Sequence, residues 1–454
     1  MPVINRHIIN PDITYEGLSR DDLFILINKW KRLLVYKYGV ERGNVVSLAI
    51  MTVNPNHIAC LFAIAELGAK ILVITKPIAP ETLHATKMGI FGPVDLTITQ
   101  RFNEGDLHNE MFRRYSKQIC YEEEIETVIS EDDVTPNYMI EGSDEFIFAS
   151  TSGTTGNSKP VMFTHNEAYQ ISKRNINVFG YTKDSVFQHT TNMHHASSML
   201  TSLFPSLMAC DTHYYGSIAL GPHIISSYLP KEFVEKCLIE RGVDNLLFSN
   251  MLIVNLLILG LNSTTQKFTK KLTINVSGFT VPERCYRMTK DYPIEFVSHY
   301  GSIDTGIPLL VNRVTSETEF DDKFLGVQPD DFYTIDGDKI ACSLWNEPRN
   351  MPDDVDNVNG RYYYKGRRED PAIDQELLDM FDEQFEDYSI VYVGDKKILV
   401  LWDKEGPVFD FHKERTFLPV IFQHIVHLPK QDFIVDTKVS MEQLRAYLEH
   451  HYAV

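Results

Sequence analysis

The sequence predicts an α/β protein: a large N-terminal region of parallel-sheet α/β subdomains, then a small mobile α+β C-terminal cap. Three observations carry that expectation. Helical and strand periodicities alternate from the start of the chain. The strand-like runs Val45 to Ile50 and Ala69 to Ile74 are almost continuously apolar, as in strands covered on both faces. After about residue 360 the composition shifts to charged and aromatic, and the segments become shorter.

The elements follow in order. Asp21 to Tyr38 places Leu23, Leu26, Ile27, Trp30, Leu33 and Leu34 at helical spacing, and Gly39 and Gly43 stop it. Val45 to Ile50 is a strand, Ile58 to Leu67 a helix ended by Gly68, and Ala69 to Ile74 a second strand. Phe146 to Ser150 is a strand leading into a Gly/Ser/Thr loop, and Asn166 to Phe179 reads as a helix. Asn245 to Leu261 and Leu272 to Ser277 continue the alternation. The apolar run Leu252 to Leu261, interrupted by Asn255, is too short to span a bilayer and reads as a buried helix or pocket wall. Beyond Pro371, Gln375 to Glu386 is a short helix. Ser389 to Val393 and Lys397 to Trp402 form a hairpin around Gly394-Asp395, and Val439 to His451 is a final helix. The expected domains are 1–366, a hinge at 367–370, and a cap at 371–454.

Length and charge bound the function. The 454 residues suggest roughly three domain equivalents at ~150 residues each. Asp and Glu number 62 against 43 Lys and Arg, a formal charge of −19, so an extended nucleic-acid surface is not expected. The six cysteines form no C-x-x-C pair, and no basic-then-apolar leader opens the chain, so a cytoplasmic location is expected. His194-His195 lacks helical metal-site spacing, and His424 and His427 lie three apart on a candidate helix without an evident third ligand.

Chemistry concentrates in Thr151-Ser152-Gly153-Thr154-Thr155-Gly156-Asn157-Ser158-Lys159-Pro160. Its glycines let backbone N–H groups turn toward an anion, and its hydroxyls can donate to phosphate oxygens. Lys159 adds a mobile cation. The spacing is not that of a Walker A loop. Taken without context, the segment could be a Ser/Thr-rich surface loop.

The loop resembles the phosphate loop of the adenylate-forming superfamily: acyl-CoA synthetases, peptide-synthetase adenylation domains and beetle luciferases. Further segments are similar in the same order. They are Thr164-His165, His195 at the carboxylate pocket, Gly278-Phe279-Thr280, Tyr300-Gly301-Ser302-Ile303-Asp304, Gly366-Arg367-Arg368-Glu369-Asp370, and Lys438. The resemblance implies that a small carboxylic acid attacks the α-phosphate of ATP, giving an acyl-adenylate and pyrophosphate. It implies Thr151, Ser152, Gly153, Thr154, Thr155, Gly156 and Lys159 on the phosphates, and Gly278, Tyr300, Gly301 and Ser302 around adenine. Asp304 would hold Mg2+, Asp353 (with Asp354 beside it) and Arg367 the ribose, Asp370 the hinge, and Lys438 the carboxylate and α-phosphate. Without that frame, Lys438 would read as a surface lysine, and Asp353, Asp354 and Asp356 as a solvated loop.

Four departures from the family pattern bear on the reaction. Ile303 replaces the usual threonine, and Asp304 is one methylene shorter than the usual glutamate. Pro371-Ala372-Ile373-Asp374-Gln375 lacks the glycine that lines the family's pantetheine tunnel, and the cap is short. Transfer to CoA or a carrier-protein pantetheine is therefore weighed against transfer to an amine, alcohol or nucleoside, and against a non-catalytic nucleotide binder.

Overall fold

The computed structural model describes residues 1–15, 17–49, 54–73, 94–99, 112–150, 160–189, 196–215, 233–248, 257–258, 260–261, 264, 269–277, 281, 283–306, 308–314, 321, 323–337, 339–345, 347–351, 353–367, 387–393, 396–402, 424–428, 434–435, 438–439 and 447. Two compact units emerge. The first comprises Met1–Thr151 and Pro160–Lys365; the second is built on Gly366–Val454.

The first unit opens with a small hairpin, β1 (Thr14–Tyr15) and β2 (Leu18–Ser19), and then helix α1 (Arg20–Arg32). Ser19 and Asp22 close a capping box that satisfies donors at the α1 N-terminus. Five further strands then alternate with one long helix. They are β3 (Val45–Ala49), α2 (Pro55–Glu66), β4 (Lys70–Val73), β5 (Val94–Thr99), β6 (Ser116–Tyr121) and β7 (Glu145–Ser150). With β8 (Pro160–Thr164) they make a six-stranded sheet in the order β6-β5-β3-β4-β7-β8. All its pairs are parallel except β7 with β8. Every residue of α2 from His57 to Ala65 is buried, which is why its sequence is apolar on all sides.

The segments read as helix, strand, helix and strand are therefore α1, β3, α2 and β4, each within a few residues of expectation. The chain turns out of α2 at Gly68, whose φ is 62°.

Helix α3 (His165–Phe179) follows β8 directly, capped by a Thr164–Glu167 box. A second sheet comes next: β9 (Val186–His189), β10 (Thr212–Tyr215), β11 (Asn245–Phe248), β12 (Leu272–Ser277), β13 (Ile294–Tyr300), β14 (Leu310–Val314) and β15 (Phe324–Val327). A small three-stranded sheet, β16 (Tyr333–Asp336), β17 (Lys339–Cys342) and β18 (Arg349–Asn350), intervenes before β19 (Asp353–Val358) and β20 (Arg361–Arg367). The large sheet has eleven strands, ordered β19-β20-β15-β14-β13-β12-β11-β9-β10-β1-β2. Its centre, β10 through β13, is parallel, and its β13-β14-β15-β20 end is antiparallel. The parallel sheet read from the apolar runs at β3 and β4 is the six-stranded one, while the later strands β11 and β12 form part of the parallel centre of this mixed sheet. Of the apolar run, Leu257, Ile258 and Leu261 are buried in the cluster around Leu246, Ile274 and Phe296.

In the second unit only backbone is described, apart from Tyr447. β21 (Asp387–Val393) and β22 (Lys396–Trp402) form the expected antiparallel hairpin, and β23 (His424–Leu428) adds in parallel. This corrects the reading of His424 and His427 on one helical face. They stand on a strand and not on a helix. The final helix does not begin at Val439, because β25 (Lys438–Val439) pairs antiparallel with β24 (Ile434–Val435). The helix expected over Gln375 to Glu386 lies outside the described residues.

Six described cysteines are all free and buried. Among the described residues, no helix is long and apolar enough to cross a membrane.

Candidate active site

In open sheets with parallel strands, ligands bind at the carboxyl ends of the strands. Two of the sequence-selected segments begin at such ends. β7 runs to Ser150, and Ser150 pairs with Pro160 of β8, so the loop 151–159 springs from the mouth of a hairpin. A Walker A loop instead leads straight into a helix. β13 runs to Tyr300, and Gly301 and Ser302 follow it.

The turn after Tyr300 is closely held. Ile303–Thr305 form one 3-10 turn. Thr305 N–H donates to the Ser302 carbonyl at 3.1 Å, and the Thr305 hydroxyl donates to the same carbonyl at 2.8 Å. The Ser302 N–H donates to Thr305 Oγ1 at 3.2 Å. Gly306 ends the turn at φ 67°, a conformation that suits glycine, and an added Cβ there would sit 2.7 Å from Ile171 Cδ1. Leu309 N–H then donates to the Tyr300 carbonyl at 2.7 Å, so the excursion leaves and rejoins the sheet at one residue.

Tyr300 meets Asp353. Its hydroxyl donates to Asp353 Oδ2 at 2.6 Å. In strand order β13 and β19 are separated by three strands. At ~4.8 Å per step a flat sheet would hold them roughly 19 Å apart. The hydrogen bond therefore requires the antiparallel end to curl back over β13, and Tyr300 packs against the Leu309, Leu310, Tyr333 and Tyr362 cluster in doing so. Asp353 opens a strand rather than a free loop. Asp356, by contrast, pairs with Lys365 at 2.8 Å.

Beside Tyr300, His299 is buried and its Nε2 lies 2.8 Å from Asn275 Oδ1. Asn275 in turn donates to Asn245 Oδ1 at 2.8 Å, and Phe179 stacks on the imidazole at 4.1 Å. Burial, and then the charges of Arg313 and Arg174, push the His299 pKa down to about 3. The ring is thus neutral near pH 7, so Nε2–H donates to Asn275 and His299 is not a proton store there.

Of the other sequence-selected residues, Asp304 sits in the 3-10 turn, Arg367 ends β20 and Lys438 opens β25, with backbone alone described. Thr151, Ser152, Gly153, Thr154, Thr155, Gly156, Lys159, His195, Gly278 and Asp370 lie outside the described residues. The structure thus brings together Tyr300, Gly301, Ser302, the Asp304 backbone and Asp353. Three residues that sequence reading missed also hold this turn. Arg174 contacts the Pro308 carbonyl, Tyr333 donates to the Thr305 carbonyl, and Asp330 pairs with Arg174. No local pattern singles them out, because an arginine in mid-helix and an aspartate in a loop are ordinary.

No group of three or more His, Cys, Asp or Glu among the described residues could hold a metal alone. The Tyr300–Asp353 pair, half-exposed, offers an aromatic face and a carboxylate acceptor suited to a nucleoside.

Fold and site together define an α/β protein with the Tyr300–Asp353 pair at the carboxyl edge of a mixed sheet. Residues 11–232 match the family described as AMP-binding enzyme. Solved structures align along nearly the whole chain. McyG A-PCP, complexed with phenylalanyl-adenylate, gives a TM-score of 0.76 at 14% identity, covering 99% of this chain and 96% of that one. ATP-bound MatB from Rhodopseudomonas palustris gives 0.73 at 13%, covering 99% and 100%. The O-succinylbenzoate CoA synthetase of Bacillus subtilis, with ATP and magnesium, gives 0.70 at 15%, covering 95% and 96%. At such identities the likeness speaks for the fold. A search of curated protein sequences finds no match.

Proposed function

We propose that this chain is an ATP-dependent acid–thiol ligase. It activates a carboxylic acid as an acyl-adenylate, releases pyrophosphate, and passes the acyl group to the thiol of CoA or a carrier-protein pantetheine. The observation that carries this reading is the Tyr300–Asp353 hydrogen bond at the carboxyl edge of the parallel strands. It joins the two residues that the family resemblance assigns to one nucleoside, although they are 53 positions apart in sequence.

The chemical problem is to bring two anions together and to stabilise charge growing on the α-phosphorus, which calls for fixed donors and cations rather than a protein nucleophile. In this reading Tyr300 stacks against adenine, while Asp353 and Arg367 accept from and donate to the ribose. The N–H and hydroxyl groups of Thr151 to Gly156, with Lys159, hold the β- and γ-phosphates. Asp304 holds Mg2+, which supplies charge neutralisation at the phosphates. His195 borders the carboxylate, and Lys438 bridges the carboxylate and the α-phosphate. The cap turns about Asp370 between the two half-reactions. Pro371 narrows that freedom, since it disfavours the α region for the residue before it. The apolar run Leu252, Ile253, Leu256 and Leu257 suits an aliphatic or aromatic acid.

Pyrophosphate exchange into ATP tests the first half-reaction across fatty, aryl and amino acids. Exchange with at least one acid is expected, with Lys159→Ala and Lys438→Ala greatly reduced; a wild-type protein that exchanges with none would remove the proposal. A second acceptor class has one observation in its favour, the missing glycine after Asp370. Mass spectrometry of products with and without CoA decides it: product formed without CoA points to an amine, alcohol or nucleoside.

A further inference from the structure

Helix α3 connects the two ends of the site. It begins one residue after β8, the strand that receives the loop 151–159, and runs 15 residues, about 22 Å at ~1.5 Å per residue. Its far half meets the turn that follows Tyr300. Arg174, only 7% exposed, directs Nε at Asp330 Oδ2 and Oδ1, at 2.8 and 3.1 Å, and donates from Nη1 to the Pro308 carbonyl at 2.7 Å. Its guanidinium lies 4.8 Å from the centre of the Tyr333 ring and 5.3 Å from that of Phe332. Tyr333 donates to the Thr305 carbonyl, and Asn175 reaches the Gly306 carbonyl at 3.5 Å. Ile171 fills the space against Gly306. Three turn carbonyls, of Thr305, Gly306 and Pro308, are thus tied to one helix face or to the segment that Arg174 clamps.

The energetics say what this arrangement adds. The Arg174–Asp330 ion pair has one exposed partner and contributes little net stability, because solvent screens the attraction while Arg174 is desolvated. Arg174 also leaves Nη2 without a hydrogen-bond partner among the described residues. What the fork does supply is geometry, since one planar group fixes a carboxylate and a main-chain carbonyl at once. A lysine presents a single ammonium and cannot reproduce both.

We infer that Arg174 is a positioning residue of the nucleotide site. Through Asp330 and the Pro308 carbonyl it holds the turn from Ser302 to Pro308, and with it Asp304, at a set distance from α3 and so from the root of the phosphate loop. This rests on the function proposed above.

Two readouts test it, one of them free of ligand. Hydrogen exchange of the Thr305, Gly306 and Leu309 amides reports the turn itself, and calorimetry with Mg-ATP reports nucleotide affinity. The variants are Arg174→Gln and Arg174→Lys. Lys31→Met serves as the control: Lys31, on α1, is 3% exposed and ion-paired to Glu66 and Asp133. Both Arg174 variants are expected to exchange those amides about tenfold faster or more, with ATP bound roughly 10- to 100-fold more weakly. Lys31→Met should lose thermal stability yet keep wild-type exchange in the turn and wild-type ATP affinity. Should Arg174→Gln fail to fold, Asp330→Asn keeps an acceptor for Nε and is expected to shift the same amides in the same direction. Wild-type exchange in the Arg174 variants, or ATP affinity reduced no more than in Lys31→Met, overturns the inference. A wild-type protein that binds no ATP overturns the nucleotide role together with the proposed function, and is told apart by the exchange data.

Discussion

Tyr300 and Asp353 can be tested as a pair before any substrate is known. A hydrogen bond to a charged acceptor contributes about 1.5–3 kcal/mol when well shielded, and this half-exposed pair belongs near the lower end. A double-mutant cycle with Tyr300→Phe and Asp353→Asn, read from denaturant unfolding, is expected to give a coupling of about 1.5 kcal/mol. Additive effects would mean the two side chains do not meet in solution. In ATP binding, Asp353→Ala should cost more than Asp354→Ala, since neighbouring strand residues face opposite sides. Equal losses would remove Asp353 from its assigned place. Each residue is legible in the sequence through its motif, but their contact is not. It depends on the curl of an antiparallel sheet end, a cumulative property of strand twist that no local pattern encodes. Arg174 and Tyr333 are not legible at all, because their meaning lies only in which carbonyls they reach.

At the scale of elements, apolar periodicity marks α1, α2, β3 and β4 well, since these are buried wherever they pack and their sequences show it. It fails at Lys438–Val439, where a two-residue strand is decided by its partner Ile434–Val435 and carries no period of its own. It also fails at His424–Leu428, where a short apolar run fits helix and strand alike. The junction of α3 with the turn after β13 offers the sharpest test at this scale. Gly306→Ala meets two penalties: a left-handed backbone, about 1 kcal/mol, and a Cβ placed 2.7 Å from Ile171 Cδ1. Overpacking of this kind costs about 1–3 kcal/mol. Gly306→Ala should therefore destabilise by about 2–4 kcal/mol. Adding Ile171→Val to that variant should restore part of the loss, although Ile171→Val alone destabilises. If the second substitution only adds to the first, the close approach of α3 to the turn is not present.

For the first unit as a whole, the strongest prediction concerns acid. Burial holds the pKa of His165 and His213 down to about 4 and that of His299 to about 3, and holds His189 well below its ordinary value. His213 Nε2 lies 3.2 Å from the Cys210 carbonyl, and Nδ1 lies 3.4 Å from His189 Nε2. The neutral tautomers that satisfy both contacts have His213 donating to Cys210 and His189 donating to His213. An added proton would break that chain. In the unfolded state each imidazole takes up a proton near pH 6.5, but in the folded state only near 4 or below. Between those values the unfolded state binds more protons, so stability falls as pH falls. Each histidine contributes up to about 1.4 kcal/mol per pH unit. The depressed carboxylates Glu66 and Asp133, ion-paired with Arg6 and Lys31, hold their stabilisation through the upper part of this window and begin to lose it as pH falls into the ordinary carboxylate range at about pH 4–5, which adds to the same trend. Unfolding of this unit, followed through Trp30 fluorescence in a Trp345→Phe, Trp402→Phe background, should thus weaken steadily from pH 6.5 to pH 4. The proton linkage should approach four. His213→Phe keeps an aromatic ring beside Tyr15 and is expected to lower that linkage by about one proton, whatever it does to stability at pH 7.5. A flat profile between pH 6.5 and 5, or an unchanged linkage in His213→Phe, would show that these imidazoles are not buried neutral in the folded protein.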